Sequence, residues 1–328
     1  VTATLAARCE VCPHACLLAE AEIGPCGARH NVAGQIVPRF FGQVVAAHDG
    51  PIERSYLYHV TPGARAFGYG AAGCNLRCAY CQNWIVSQTP KSADISPPSR
   101  SLPPEALVAE ALAAGCGAVV ATFTEPGVHL EYTRAVAHAA RGAGLLNAWK
   151  TNGYLTAGAQ DSVAPLLDAV NVDLKTLDGS VAAELLGGSV KPVLEALSRY
   201  RAAGVWVEVT TLLVPTVNDS TAHIDALIDA IGERLGADVP WHVNRFHPDF
   251  ALRHLPPTPL RALHAARERG LERGLRFVYT DAETAGPGLA TQCAVCGATL
   301  IRREGARVVD DTLRGVCRKC GAVLPGVF

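Results

Sequence analysis

Three cysteines, Cys74, Cys78 and Cys81, stand at C-x3-C-x2-C spacing in the stretch Gly73-Cys74-Asn75-Leu76-Arg77-Cys78-Ala79-Tyr80-Cys81-Gln82-Asn83-Trp84. Thiolates crowded this closely can hold three corners of a cubic iron–sulfur cluster and leave its fourth iron without a cysteine. A structural zinc site is closed by four ligands. The odd triplet therefore points to an open, reactive coordination position, or to a distant fourth ligand, for which Cys116 is the candidate.

Two further cysteine groups flank this loop. Cys9, Cys12, Cys16 and Cys26, with Pro and Gly to turn the chain back, describe a metal-bound knuckle of a size that an apolar core alone does not hold together. Zinc and an auxiliary Fe–S cluster both accept four thiolates, and both readings stay open here. His14, with four cysteines beside it, reads as a capping or surface residue. At the other end, Cys293-x2-Cys296 and Cys317-x2-Cys320 have the spacing of a ribbon gripping one tetrahedral metal, read as zinc ahead of an Fe–S cluster.

Eleven of the twelve cysteines thus fall in short-spaced groups, a pattern of metal ligation rather than of disulfides. The first eight residues show no basic region followed by a long apolar core, so the expected setting is the reducing cytoplasm. Hydrophobic residues make up 49% of the 328-residue chain and charged residues 18%, which excludes a disordered protein. The formal net charge of −1 gives no global field to recruit nucleic acid or membrane, so nucleic acid is an unlikely partner. No apolar run approaches the roughly 18 residues of a membrane helix.

The elements that must position these groups alternate. Ala66–Gly70 delivers the chain to the cysteine loop as a first core strand, after a short hairpin expected in residues 34–48. Helices over about 103–114, from Val128, near 163–167, and over 190–203, 221–235 and 259–273 separate near-continuous apolar strands. Those strands end at 124, 151, 174, 214, 246 and 279. Such a pattern predicts α/β architecture, a parallel sheet with helices outside, closing as a partial (β/α)6-type TIM barrel. The expected domains are a four-cysteine knuckle and hairpin over 1–60, the barrel over 61–285, and the ribbon over 286–328, after a linker near 282–290. Arg302 and Arg303 read as members of a solvated ribbon face.

Ligands of such folds gather beyond the carboxyl ends of the strands. There the sequence places the cysteine loop, Thr124-Glu125-Pro126-Gly127, Thr151-Asn152-Gly153, Asp173-Leu174-Lys175, Pro215 to Asp219, and His247-Pro248-Asp249. Any one of these is a common cap or turn. Six successive strand ends with polar or turn-forming groups point to one shared site.

The triplet with Tyr80 before its last cysteine resembles the radical S-adenosylmethionine superfamily. Cys9-x2-Cys12-Pro13-His14-x-Cys16, Gly24-x-Cys26-Gly27-x-Arg29, Cys81-Gln82-Asn83-Trp84, Asn218-Asp219-Ser220, Phe246-His247-Pro248 and Pro325-Gly326-Val327 narrow the match. Together they resemble the AmmeMemoRadiSam system radical SAM enzymes, relatives of pyruvate formate-lyase activating enzyme. The resemblance implies that Cys74, Cys78 and Cys81 hold a 4Fe-4S cluster whose fourth iron chelates S-adenosylmethionine. One-electron reduction would release methionine and a 5′-deoxyadenosyl radical that abstracts hydrogen from a substrate. It further implies Glu125 at the cofactor's amino group, Asp173 and Lys175 at its carboxylate end, and Asn152 and Gly153 at the third strand end. His247 would lie near the adenosine and the Tyr80 backbone against the adenine.

An electron donor such as flavodoxin or ferredoxin, and companion proteins of that system, are implied as partners. One departure stands out: Phe123-Thr124-Glu125-Pro126 occupies a place where the family has Tyr-Asn-Glu-Pro. Two other functions compete with hydrogen abstraction from an unidentified substrate. One is activation of a glycyl-radical enzyme, and the other is a non-catalytic metal-binding interaction module.

Overall fold

The computed structural model describes residues 6–91, 97–281, 283–311 and 315–328. Its centre is a sheet whose seven parallel strands follow one another in chain order. They are β1 (Arg65–Gly70), β2 (Ala118–Ala121), β3 (Leu146–Thr151), β4 (Ala169–Asp173), β5 (Trp206–Leu213), β6 (Trp241–Arg245) and β7 (Val278–Thr280). Between them run the helices α1 (Pro104–Ala113), α2 (Leu130–Gly142), α3 (Ala157–Val163), α4 (Val190–Ala202), α5 (Thr221–Leu235) and α6 (Leu260–Glu272). The expected α/β barrel-type fold is present.

The strands are apolar because both of their faces are covered. All four residues of β2, Ala118-Val119-Val120-Ala121, are buried. The helices bury one stripe each. In α5 the buried residues are Ile224, Leu227, Ile228, Ile231 and Leu235, the spacing of a single helical face. Ser220 caps that helix by accepting from the His223 N–H. Among the described residues, no helix is long and apolar enough to cross a membrane.

The structure corrects three sequence expectations. The hairpin lies earlier, pairing Arg29–Val32 with Gln35–Pro38, because Ala33 and Gly34 both adopt the positive φ of a tight two-residue turn. Residues Ala46–Pro51 instead join the main sheet, antiparallel to β1. The helix before β4 starts at Ala157, capped by the Thr156 hydroxyl, and its Ala-Gly-Ala-Gln-Asp-Ser run carries too little apolar periodicity to be seen. Of the linker near 282–290, Ala282 lies outside the described residues, and Leu289 is buried.

Both cysteine-rich ends pack on the barrel. The Cys74 N–H donates to the Cys26 carbonyl (3.1 Å), and a side chain at Gly73, with φ near 104°, would collide with that same carbonyl. The ribbon docks through Arg303. Far from being solvated, Arg303 is buried against Glu53 (3.3 Å) and also donates to the carbonyls of Tyr58 (2.8 Å) and Leu289 (3.1 Å). The last residues return to the barrel as well, where Val327 exchanges backbone hydrogen bonds with His59 and Thr61.

Candidate active site

A cavity of about 690 Å³ opens at the carboxyl ends of the parallel strands. Cys74, Cys78, Cys81 and Tyr80 line it, together with Glu125, Asn152, Asp173, Lys175 and His247. Residues from widely separated strand ends thus share one chamber, and the sheet order brings them there.

Neighbouring strand ends hold the cysteine loop in place. The Arg77 and Ala79 N–H groups donate to the carbonyls of Leu186 and Leu185, in the short helix that follows β4. The Ala251 N–H donates to the Ala79 carbonyl, and Phe250 stacks on Trp84. Asn75 Nδ2 donates to the Tyr154 carbonyl (2.6 Å), and Asn152 Nδ2 donates to Asn75 Oδ1 (2.8 Å). Burial pushes the Cys74 thiol well above its usual range and Cys78 up to about 11, with Lys175 opposing the rise at Cys78.

Glu125 is almost wholly enclosed, at 1% exposure. Its Oε1 accepts from the Gly127 N–H (2.9 Å), its Oε2 from the Asn152 N–H (2.7 Å), and the Thr151 hydroxyl lies within 2.8 and 3.0 Å of the two oxygens. Burial pushes its pKa up to about 7, against the pull of these three donors. A hydroxyl has one proton to give, so Thr151 satisfies one carboxylate oxygen at a time and one acceptor direction stays open.

At the end of β4, Asp173 is flanked by two ammonium groups, Lys150 at 2.9 Å and Lys175 at 2.8 Å. Although burial alone would raise it, the two lysines hold the Asp173 carboxyl far below the usual carboxylate range. Burial pulls the Lys175 pKa down, but Asp173, Cys78 and Tyr80 outweigh it, so Lys175 stays protonated. A row of alternating charge thus faces the cysteine loop.

Some expected residues serve the site from behind. Gly153 does not line the cavity. Its φ of about 69° and the close approach of Val172 and Val193 require a residue without a side chain, which lets α4 pack under the third strand end. Asn218 is also off the cavity, donating to the Lys175 carbonyl (2.8 Å) and so fixing the backbone that carries that ammonium. Cys116 sits at the opposite end of the sheet, where the next residue's N–H donates to the carbonyl of Arg65 at the start of β1. It does not line the cavity that the triplet faces. In the departure from the family pattern, the Thr124 hydroxyl donates to the Ala71 carbonyl (2.7 Å), tying the second strand end to the cysteine loop's entry.

Several cavity residues escape sequence reasoning. Lys150 carries a signal, as the one cation in the apolar strand Leu-Asn-Ala-Trp-Lys-Thr. Tyr56, His48 and Asp281 line the cavity too, and nothing local in the sequence marks them. Tyr56 lies under the Lys150 ammonium at 4.9 Å.

The ribbon thiols converge tightly. The sulfurs of Cys293 and Cys320 are 3.6 Å apart, those of Cys296 and Cys317 3.7 Å, and all four lie within 4.8 Å of one another. This is a four-ligand group that could hold a metal ion, and its spacing fits a tetrahedral ion with metal–sulfur bonds of about 2.3 Å.

Known proteins give the following likenesses. The Radical SAM superfamily description matches residues 70–229. An uncharacterised protein of Methanocaldococcus jannaschii is 35% identical over 96% of this chain and 93% of its own length. The benzylsuccinate synthase activating enzyme of Thauera aromatica is 30% identical, over 40% of this chain and 40% of its own length. A solved radical SAM methyltransferase from Sphaerobacter thermophilus superposes with a TM-score of 0.52 at 18% identity. It covers 67% of this chain and 66% of that one, and bears on the fold alone.

Proposed function

The chain is an enzyme with a radical SAM domain over residues 70–229, and from there we propose that it takes hydrogen from a substrate held in the strand-end cavity. In this reading Cys74, Cys78 and Cys81 hold a 4Fe-4S cluster beside bound S-adenosylmethionine. When bound, that pair supplies a 5′-deoxyadenosyl radical after one-electron reduction. The observation that carries the reading is the single chamber lined by three cysteines, a buried carboxylate and a half-buried Asp–Lys pair.

The donor set fits these groups. The three loop sulfurs do not draw into a tight group, as a mononuclear metal would require, and an open corner beside them faces polar side chains rather than a fourth thiol. Glu125 offers its one open acceptor direction to an ammonium. Lys175, fixed by Asp173 and by the Asn218 contact to its backbone, offers a cation to a carboxylate. Asn152 orients the loop through Asn75 and stands 3.6 Å from Cys74 Sγ. Tyr80 and His247 line the same cavity and are the residues this reading assigns to the nucleoside.

The deciding experiment is anaerobic reconstitution followed by assay for 5′-deoxyadenosine under dithionite. Product formed in proportion to loop cluster is expected, and none from a fully reconstituted protein overturns the reading. A second reading, activation of a glycyl-radical protein, draws on the likeness to the benzylsuccinate synthase activating enzyme. It predicts a stable organic radical in a co-incubated partner. Companion proteins of the AmmeMemoRadiSam system and a flavodoxin- or ferredoxin-type donor are the partners that fit the first reading.

A further inference from the structure

The N-terminal knuckle differs from the ribbon in how its thiols are spaced. Among the described residues, the ribbon is the one group of three or more ligand atoms drawn within 4.8 Å of one another, so no three of Cys9, Cys12, Cys16 and Cys26 meet that spacing. Yet the four are neighbours. The Cys9 N–H donates to the Cys16 carbonyl (2.8 Å). The Ala15 N–H donates to the Cys12 carbonyl (3.0 Å), so the first three cysteines share one tight turn. Tetrahedral zinc draws its sulfurs to about 3.8 Å of one another, given bonds of about 2.3 Å, whereas thiolates on the corners of an iron–sulfur cube stand roughly 6 Å apart. Like the Cys74, Cys78 and Cys81 loop, and unlike the ribbon, the knuckle brings no three of its sulfurs within 4.8 Å of one another.

A second observation concerns Arg29. It is 4% exposed, and both terminal nitrogens grip Glu131 at 2.8 and 2.6 Å, yet its Nε–H is buried with no partner. Cys9 and Cys26 bear on this guanidinium. A buried donor without an acceptor is destabilising, and a cluster sulfide or thiolate is an acceptor that would relieve it.

We propose that Cys9, Cys12, Cys16 and Cys26 hold a second, polynuclear iron–sulfur cluster. It is set directly behind the first through the hydrogen bond from the Cys74 N–H to the Cys26 carbonyl. Lys91 links the two cysteine segments: its backbone packs against Gly27, beside Cys26, and its ammonium donates to the Leu76 carbonyl (2.7 Å) in the loop. The ribbon then carries a different metal, zinc. This inference rests on the reading of the loop as a 4Fe-4S site, and the test separates the two.

The intact chain is reconstituted anaerobically with iron, sulfide and zinc, then examined by metal analysis and Mössbauer spectroscopy, alongside the C74A/C78A/C81A variant. About eight irons and one zinc per chain are expected in the unaltered protein if both clusters are cubes, and about four irons with sulfide in the variant. Six irons, falling to two in the variant, supports the proposal equally, as a two-iron cluster at the knuckle. Four irons falling to none, with two zinc ions bound, overturns the proposal and leaves the loop assignment standing. Iron that survives in full in the variant supports a knuckle cluster and defeats the loop assignment. Should the variant not fold, the iron count of the unaltered chain decides, since about four irons contradicts a second cluster.

Discussion

The cysteine loop and the C-terminal ribbon use the same side chain for opposite ends. The ribbon closes four thiols on one point, 3.6 and 3.7 Å apart in pairs, and presents no free coordination position. The loop spreads three thiols along one wall of a chamber of about 690 Å³ and sets carboxylates and lysines around the rest of it. Number and spacing, not residue type, separate a site shaped to close around one metal from a loop open to a chamber. The polar surroundings differ in the same sense. Glu53 and Arg303 are fully enclosed and pair with each other to seal the ribbon's seam, whereas Asp173 and Lys175 stay partly open to the chamber.

Removing one site at a time breaks this comparison most sharply. Cys78→Ala is expected to lose the loop iron and lower 5′-deoxyadenosine formation at least about 10³-fold, while ribbon zinc is kept. Cys317→Ser should do the reverse, losing zinc with loop iron retained and exposing residues 286–328 to proteolysis. Paired metal analysis and product assay check both. Equal loss of both metals in either variant would show that the sites are not independent.

The charged groups come next. Asp173→Asn leaves two half-buried ammonium groups facing each other, and should cost roughly 2–3 kcal/mol in urea unfolding while weakening S-adenosylmethionine binding. Arg303→Met strands the enclosed Glu53 carboxylate, whose pKa burial already raises against the pull of Arg303. A loss of roughly 3–5 kcal/mol is expected there, with ribbon release seen by proteolysis and loop iron unchanged. A cofactor effect from Arg303→Met as large as that from Asp173→Asn would erase the distinction between seam and chamber.

The smallest expected effect is a pH dependence at Glu125. Its folded pKa of about 7 is raised by burial, so the stability tied to its proton is fully present below its unfolded pKa and is lost as pH rises through 7. Capture of an ammonium needs the ionised form. Affinity for S-adenosylmethionine should therefore climb about tenfold between pH 6 and 8 and flatten in Glu125→Gln, as equilibrium binding would reveal.

Much of the barrel is legible in the sequence because local pattern and tertiary demand agree. Ala118–Ala121 reads as a strand and is one, buried on both faces. Glu125, Asn152, Asp173, Lys175 and His247 are visible as polar groups at strand ends. The misses have a common cause. Arg303 reads as a solvated arginine because nothing nearby in sequence shows Glu53, 250 residues away, waiting to pair with it. Gly153 reads as a cofactor residue, though the reason for glycine there is the helix beneath it. Lys150 stands out as the one cation in its apolar strand, but its partner Asp173 arrives beside it only from the next strand.

The sequence by itself determined the three cysteine groups, the strand-and-helix alternation and the polar character of the strand ends, since spacing and periodicity are properties of the chain alone. Only the tertiary structure decided which of those ends share a chamber, that the ribbon thiols close tightly while the knuckle and loop thiols stand apart, and that Arg303 seals a seam. Those outcomes depend on distances between residues that the chain keeps far apart. They are fixed only when the sheet orders its strands and the two cysteine-rich ends pack against it.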